Sequence, residues 1–93
     1  MSRADIYKLI SDERHRQNVK FPKATIADPH PGLPSTHDVR LRILVEEVGE
    51  VARAIDNLQK AQTAQEQVAP FRNLREELVQ VAACAVGWLE AIG

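Results

Sequence analysis

Three carboxylates, Glu46, Glu47 and Glu50, interrupt the apolar run from Leu44 to Ala52. At 100° per residue, Leu41, Leu44, Val45, Val48, Val51, Ala52 and Ile55 fall on one apolar stripe of a helix, which predicts that this stripe is its packed side. Glu47 and Glu50 lie on the flank of that stripe, together with Ile43 and Ala54. Carboxylates three residues apart repel by roughly a few tenths of a kcal/mol on an exposed helix. On a half-buried flank the repulsion grows, because a desolvated charge demands a partner. That partner is a Lys or Arg from elsewhere or a bound cation; a solvated acidic face needs neither. A second stretch, Glu76-Glu77-Leu78-Val79-Gln80, places Glu77 and Gln80 one turn apart on a face shared with Cys84, Trp88 and Ala91. Two such helices packed antiparallel would gather Glu47, Glu50, Glu77 and the amide of Gln80 into one oxygen-rich pocket. Hard cations such as Mg²⁺ or Mn²⁺ take sites of this kind.

The elements that must position these groups can be read in order. Ser2-Arg3-Ala4-Asp5 has capping-box spacing and predicts a first helix running to about Val19, with Ile6, Leu9 and Ile10 on its apolar side. Its second half, Asp12-Glu13-Arg14-His15-Arg16-Gln17, is almost wholly polar and reads as a solvated face; alternatively His15, Arg16 and Lys20 face a polyanionic ligand. Residues 21–34 hold four of the five prolines, so they cannot form a helix interior. Connections of this length in a small domain are either functional or disordered. Ser35 and Asp38 repeat the capping-box spacing and predict a second helix ending near Leu58 or Lys60. Residues 59–69 are rich in Gln and Ala without an apolar stripe, which predicts frayed helix or loop. The third helix is expected to start at Pro70, or to be capped by Asn73.

From Leu74 to Ile92 the third helix is apolar nearly all round, so it must be buried on more than one side. Three helices of one short chain cannot cover it, and subunit association can. The expected fold is therefore all-α, one domain over residues 1–93. A helical hairpin of long antiparallel helices would complete a four-helix-type bundle through a homodimer or homotetramer. A net charge of −1 and a pI near 6.3 leave no basic footprint for a nucleic-acid polymer. One cysteine excludes an internal disulfide and fits a reducing compartment. No signal peptide or membrane-length apolar run is present, so a cytoplasmic protein is expected.

The run Glu46-Glu47-Val48-Gly49-Glu50, followed on a later helix by Glu77-Leu78-Val79-Gln80, resembles the Glu-Glu-x-x-Glu and Glu-x-x-Asp signature of the MazG-like all-α nucleoside triphosphate pyrophosphatases. The resemblance extends from about Asp12 to the C-terminus and is closest to the short bacterial and phage proteins of that superfamily. It implies hydrolysis of a nucleoside triphosphate to the monophosphate and pyrophosphate by water, with Mg²⁺ or Mn²⁺. Carboxylates matching Glu47, Glu50 and Glu77 would hold the metal, and Glu46 would belong to its outer shell or orient the water. Phe21 would be the pocket aromatic, with Lys20 or Lys23 near phosphate and Arg16 facing the same polyanion. Further phosphate contacts would come from Arg72, Arg75 or a partner subunit. Gln80 stands where the signature has Asp, removing one negative charge from the metal set. Two other readings stay open: a catalytically weak or inactive nucleotide-binding module, and a helical assembly protein whose acidic residues form inter-subunit salt bridges.

Overall fold

The computed structural model describes residues 1–20 and 36–93, apart from the side chains at positions 18–20 and 36. Three helices account for nearly all of it: α1, Arg3–Lys20; α2, Thr36–Lys60; α3, Ala64–Ile92. Among the described residues there is no strand. No helix among them is long and apolar enough to cross a membrane. The Ser2 cap forms as expected: the Asp5 backbone N–H donates to Ser2 Oγ at 3.1 Å, and the Ser2 N–H donates to Asp5 Oδ2 at 3.1 Å. Ser35, the expected cap of the second helix, lies outside the described residues, as do Phe21 and Lys23.

The third helix starts earlier than its apolar pattern. Residues 64–69 are helical, and Thr63 is the N-cap, accepting the Glu66 backbone N–H at 3.1 Å on its hydroxyl. Glu66 in turn accepts the Gln62 N–H at 2.9 Å. A cap of this kind is worth about 1 kcal/mol. The helix-forming residues behind it need no nucleus of their own, because they extend a helix anchored downstream. Pro70 therefore sits inside α3 rather than at its start. Lacking an N–H, it forgoes the ladder bond to the Glu66 carbonyl. At its other end, α3 closes with the Gly93 N–H on the Leu89 carbonyl at 3.0 Å.

A helix of 29 residues is about 44 Å long, close to the 49 Å long dimension of the molecule, so α3 is its spine. Both α1 and α2 pack on α3, and the described residues of α1 and α2 do not pack on each other. The short link from Ala61 to Thr63 makes α2 and α3 antiparallel. Their far ends are clasped by His37 and Trp88, whose rings stack with centroids 6.0 Å apart; the Trp88 Nε1–H donates to His37 Nδ1 at 3.0 Å.

The side of α2 turned to α3 overlaps the expected stripe only at its edge, where Leu44 and Val51 are half-buried. Leu41, Val45, Val48 and Ile55 are exposed, at 40–60% of their area. Arg40 and Ala54 are buried instead, with Ile43, Glu47, Glu50 and Leu58 half-buried around them. The carboxylate-bearing flank thus faces the neighbouring helix. The polar half of α1 departs from expectation in the same way. Arg14 and Gln17 are buried, at 8% and 3% exposure, rather than solvated. The Arg14 guanidinium reaches across to Glu90 of α3, with Nη2 3.2 Å from Oε2, and also donates to Gln17 Oε1 at 3.2 Å. A long side chain with a fixed planar fork can be buried when its donors find such partners.

Candidate metal and nucleotide site

Glu47 and Glu77 meet where the inward side of α2 crosses the middle of α3. Both side chains are half-buried. The Oε2 atoms of Glu47 and Glu77 are fully buried and accept no hydrogen bond among the described residues. Burial, followed by the charges of Glu77 and Glu50, pushes the Glu47 carboxyl above the ordinary glutamate range. Glu13, from α1, acts on it in the same direction. Burial and then Glu50 likewise push Glu77 up, against a smaller opposing effect of Arg53. Two inward carboxylate oxygens held against like charge are costly in water-excluded surroundings, unless a cation or a proton joins them.

The other two expected metal ligands, Glu50 and Gln80, are placed differently. Glu50 is half-buried and turned toward Arg53, at 3.4 Å from Nη1. Gln80 is half-buried and lines a groove of about 490 Å³ between α1 and α3, together with Glu13, Arg16, Arg75 and Glu76. Among the described residues, no three His, Cys, Asp or Glu side chains stand close enough to hold a metal ion together. The arrangement is thus a pair of inward carboxylates with a third turned aside, rather than a closed cage. The donors nevertheless fit a hard divalent cation in kind, because the two buried oxygens have no other partner among the described residues.

Glu46 is exposed, 100° round the helix from Glu47, although its charge is felt there. Arg16 is exposed; its guanidinium is engaged by Glu13, with Nε 2.9 Å from Oε1, and it borders the groove that Gln80 lines. His15 and Arg72 are exposed. Lys20 closes α1, and its side chain lies outside the described residues. Gly49, beside the acidic pair, faces open space, with no atom within 4 Å of where a Cβ would stand.

Glu13, Arg14 and Gln17 are the residues that the local pattern did not single out. Their signal is long-range: Arg14 pairs with a residue 76 positions away. Cys84 is buried among these groups, and its thiol is pushed up to about 11, first by burial and then by the charge of Glu47. The nearby Arg14 works against that shift without overcoming it, so the thiol is a core group and not a nucleophile. Compared with known proteins, the chain matches no family model, no curated protein and no solved structure.

Proposed function

We propose that this chain is a divalent-metal-dependent nucleoside triphosphate pyrophosphohydrolase of the MazG-like kind. It would work in the cytoplasm as a homodimer or homotetramer whose paired hairpins complete a four-helix-type core. The observation that carries the reading is the pair of buried, unbonded oxygens on Glu47 and Glu77, on facing helices. A surface salt-bridge network would leave such oxygens with Lys or Arg partners. Arg53, whose charge reaches Glu77, is paired with Glu50 at 3.4 Å.

In the reaction, the oxygen of a water bonds to the α-phosphorus, and the bond from that phosphorus to the bridging oxygen breaks, releasing pyrophosphate. A bound Mg²⁺ or Mn²⁺ supplies charge neutralisation to the triphosphate and lowers the pKa of a bound water. Glu47 and Glu77 would hold the cation, Glu50 would join on release from Arg53, and Gln80 would offer a neutral amide oxygen. Glu46, exposed on the next face, would orient or deprotonate water at the rim. Arg16 and Arg75, on the groove beside Gln80, are the described cations available to phosphate, with Lys20, Phe21 and Lys23 assigned to the same ligand by the resemblance. The pairing of Glu50 with Arg53 and the neutral side chain of Gln80 favour a second reading, a nucleotide-binding module of low or no activity.

Pyrophosphate release from a panel of ribo- and deoxyribonucleoside triphosphates, with Mg²⁺ or Mn²⁺, tests the first reading. Release that is abolished by chelation and by Glu47→Gln supports it. No release, with thermal stabilisation by nucleotide plus metal, leaves the binding module. Neither effect sinks both readings.

A further inference from the structure

An ion pair between residues three apart on a helix ordinarily stands in water and contributes little. Glu13 and Arg16 of α1 depart from that in one partner only. The Glu13 side chain is 14% exposed and that of Arg16 is 55% exposed, so the carboxylate is sunk into the fold and the guanidinium is not. The fork engages both oxygens: Arg16 Nε donates to Oε1 at 2.9 Å and to Oε2 at 3.1 Å, and Nη2 donates to Oε2 as well. The Glu13 charge is felt by Glu47 of α2 and by Cys84 of α3. The described residues of α1 and α2 do not pack on each other, so a long charged side chain is what links α1 to the carboxylates of α2. Glu13 and Arg16 also line the groove of about 490 Å³ whose α3 wall holds Arg75 and Gln80. Glu13 thus belongs both to the polar groove and to the surroundings of the buried carboxylate pair.

We propose that Glu13 is a third carboxylate of the cation site, withheld by Arg16 until a polyphosphate takes the guanidinium in its place. The proposal rests on the metal site of the preceding reading and adds to it a residue and an order of events. A guanidinium fork matches a phosphate as well as a carboxylate, and a triphosphate carries the greater charge. Once Arg16 turns to phosphate, the Glu13 carboxylate keeps its sheltered place and loses its partner. A desolvated charge demands another partner, and a cation held by Glu47 and Glu77 is one. Before the exchange, no three acidic groups among the described residues stand close enough to hold a metal ion together. After it, the site has a third charged oxygen ligand of the kind that Mg²⁺ and Mn²⁺ prefer. Polyphosphate and cation therefore bind better together than apart, and an ion pair within α1 sets the coupling.

Calorimetric titration of the whole chain and its Glu13→Gln, Arg16→Gln and double variants tests the proposal, with Mn²⁺ alone and, in chelator, with inorganic tripolyphosphate. Arg16→Gln releases Glu13 without an anion and should tighten Mn²⁺ binding about tenfold, the scale of one supporting group at a metal site. In the Glu13→Gln background the same change should alter affinity by no more than about twofold. Glu13→Gln should tighten tripolyphosphate binding while Arg16 is present, and leave it unchanged when Arg16 is not. Should Glu13→Gln fail to fold, Arg16→Lys decides alone: it keeps the positive charge but gives up the fork, so it should still tighten Mn²⁺ binding, and unchanged affinity overturns the proposal. Equal tightening by Arg16→Gln in both backgrounds also overturns it, because that is the effect of a distant charge. Mn²⁺ binding that Glu47→Gln abolishes but the Glu13 and Arg16 variants leave untouched refutes this proposal and leaves the preceding reading standing. No Mn²⁺ binding by any of these proteins removes both.

Discussion

Replacing Glu47 by Gln should stabilise the metal-free protein at neutral pH. Its Oε2 is buried and takes no hydrogen bond among the described residues, and Glu77, Glu50 and Glu13 repel its charge. The carboxyl is raised in the folded state, so the fold holds the proton more tightly than the unfolded chain does. The sign follows: the folded state is favoured below the usual glutamate range, and that advantage is lost as pH climbs through the raised value. A buried polar group without a partner costs about 1–3 kcal/mol, more if charged. The Glu47 side chain as a whole is only half-buried, so solvent screening holds the expected gain near the lower end, about 1 kcal/mol. In a domain of this size that corresponds to a midpoint higher by about 4–8 °C. Differential scanning calorimetry in chelator, at pH 4.5 and 7.5 and one fixed protein concentration, measures it. The gain should appear at pH 7.5 and shrink at pH 4.5, because a carboxyl raised above the ordinary range takes up its proton sooner as pH falls. Millimolar Mn²⁺ should reverse the order at pH 7.5, because a ligand held at a hundred times its Kd adds about 2.7 kcal/mol to the wild type. A Glu47→Gln variant that melts lower in chelator at pH 7.5 would refute the reasoning. Glu47 would then be the partner of a cation within the fold.

Gln80→Asp should tighten Mn²⁺ binding in a calorimetric titration, since it adds a charge beside Glu77 on the same face of α3; unchanged affinity would place position 80 outside the metal's reach. Thr63→Ala should cost about 1 kcal/mol and fray residues 64–69, seen as faster amide exchange there and not at the centre of α3. Cys84 should resist iodoacetamide at pH 8 in the native protein and react on unfolding, because its thiol is buried and pushed up to about 11; rapid native alkylation would show that the junction of the three helices opens readily.

Helix existence, the Ser2 cap and the end of α2 are local properties, and they were legible because spacing and capping residues act within a few positions. The start of α3 was equally local: Thr63 and Glu66 have capping-box spacing. It was missed because residues 64–69 carry no apolar stripe, and a stripe is required only of a helix that must be buried. Arg14 and Gln17 could not be read as buried, since what accommodates them includes Glu90 at the opposite end of the chain. The carboxylates raise the more instructive difficulty. Angular periodicity identifies which residues share a face, but not which face meets which neighbour. On hydrophobicity alone, α2 should turn Leu41, Val45, Val48 and Ile55 inward and leave Glu47 in water. It leaves those four exposed and buries one oxygen each of Glu47 and Glu77. That orientation buries Ala54 and half-buries Ile43, Leu44, Val51 and Leu58, but it also exposes the larger part of the stripe and desolvates charge. The orientation becomes favourable when two outside partners are supplied, a cation for the carboxylates and an apolar surface for the stripe. Each proposed partner removes one of the two penalties, and neither removes the other. Covering the stripe should therefore leave the raised carboxyls unchanged, and neutralising the carboxyls should leave the association unchanged.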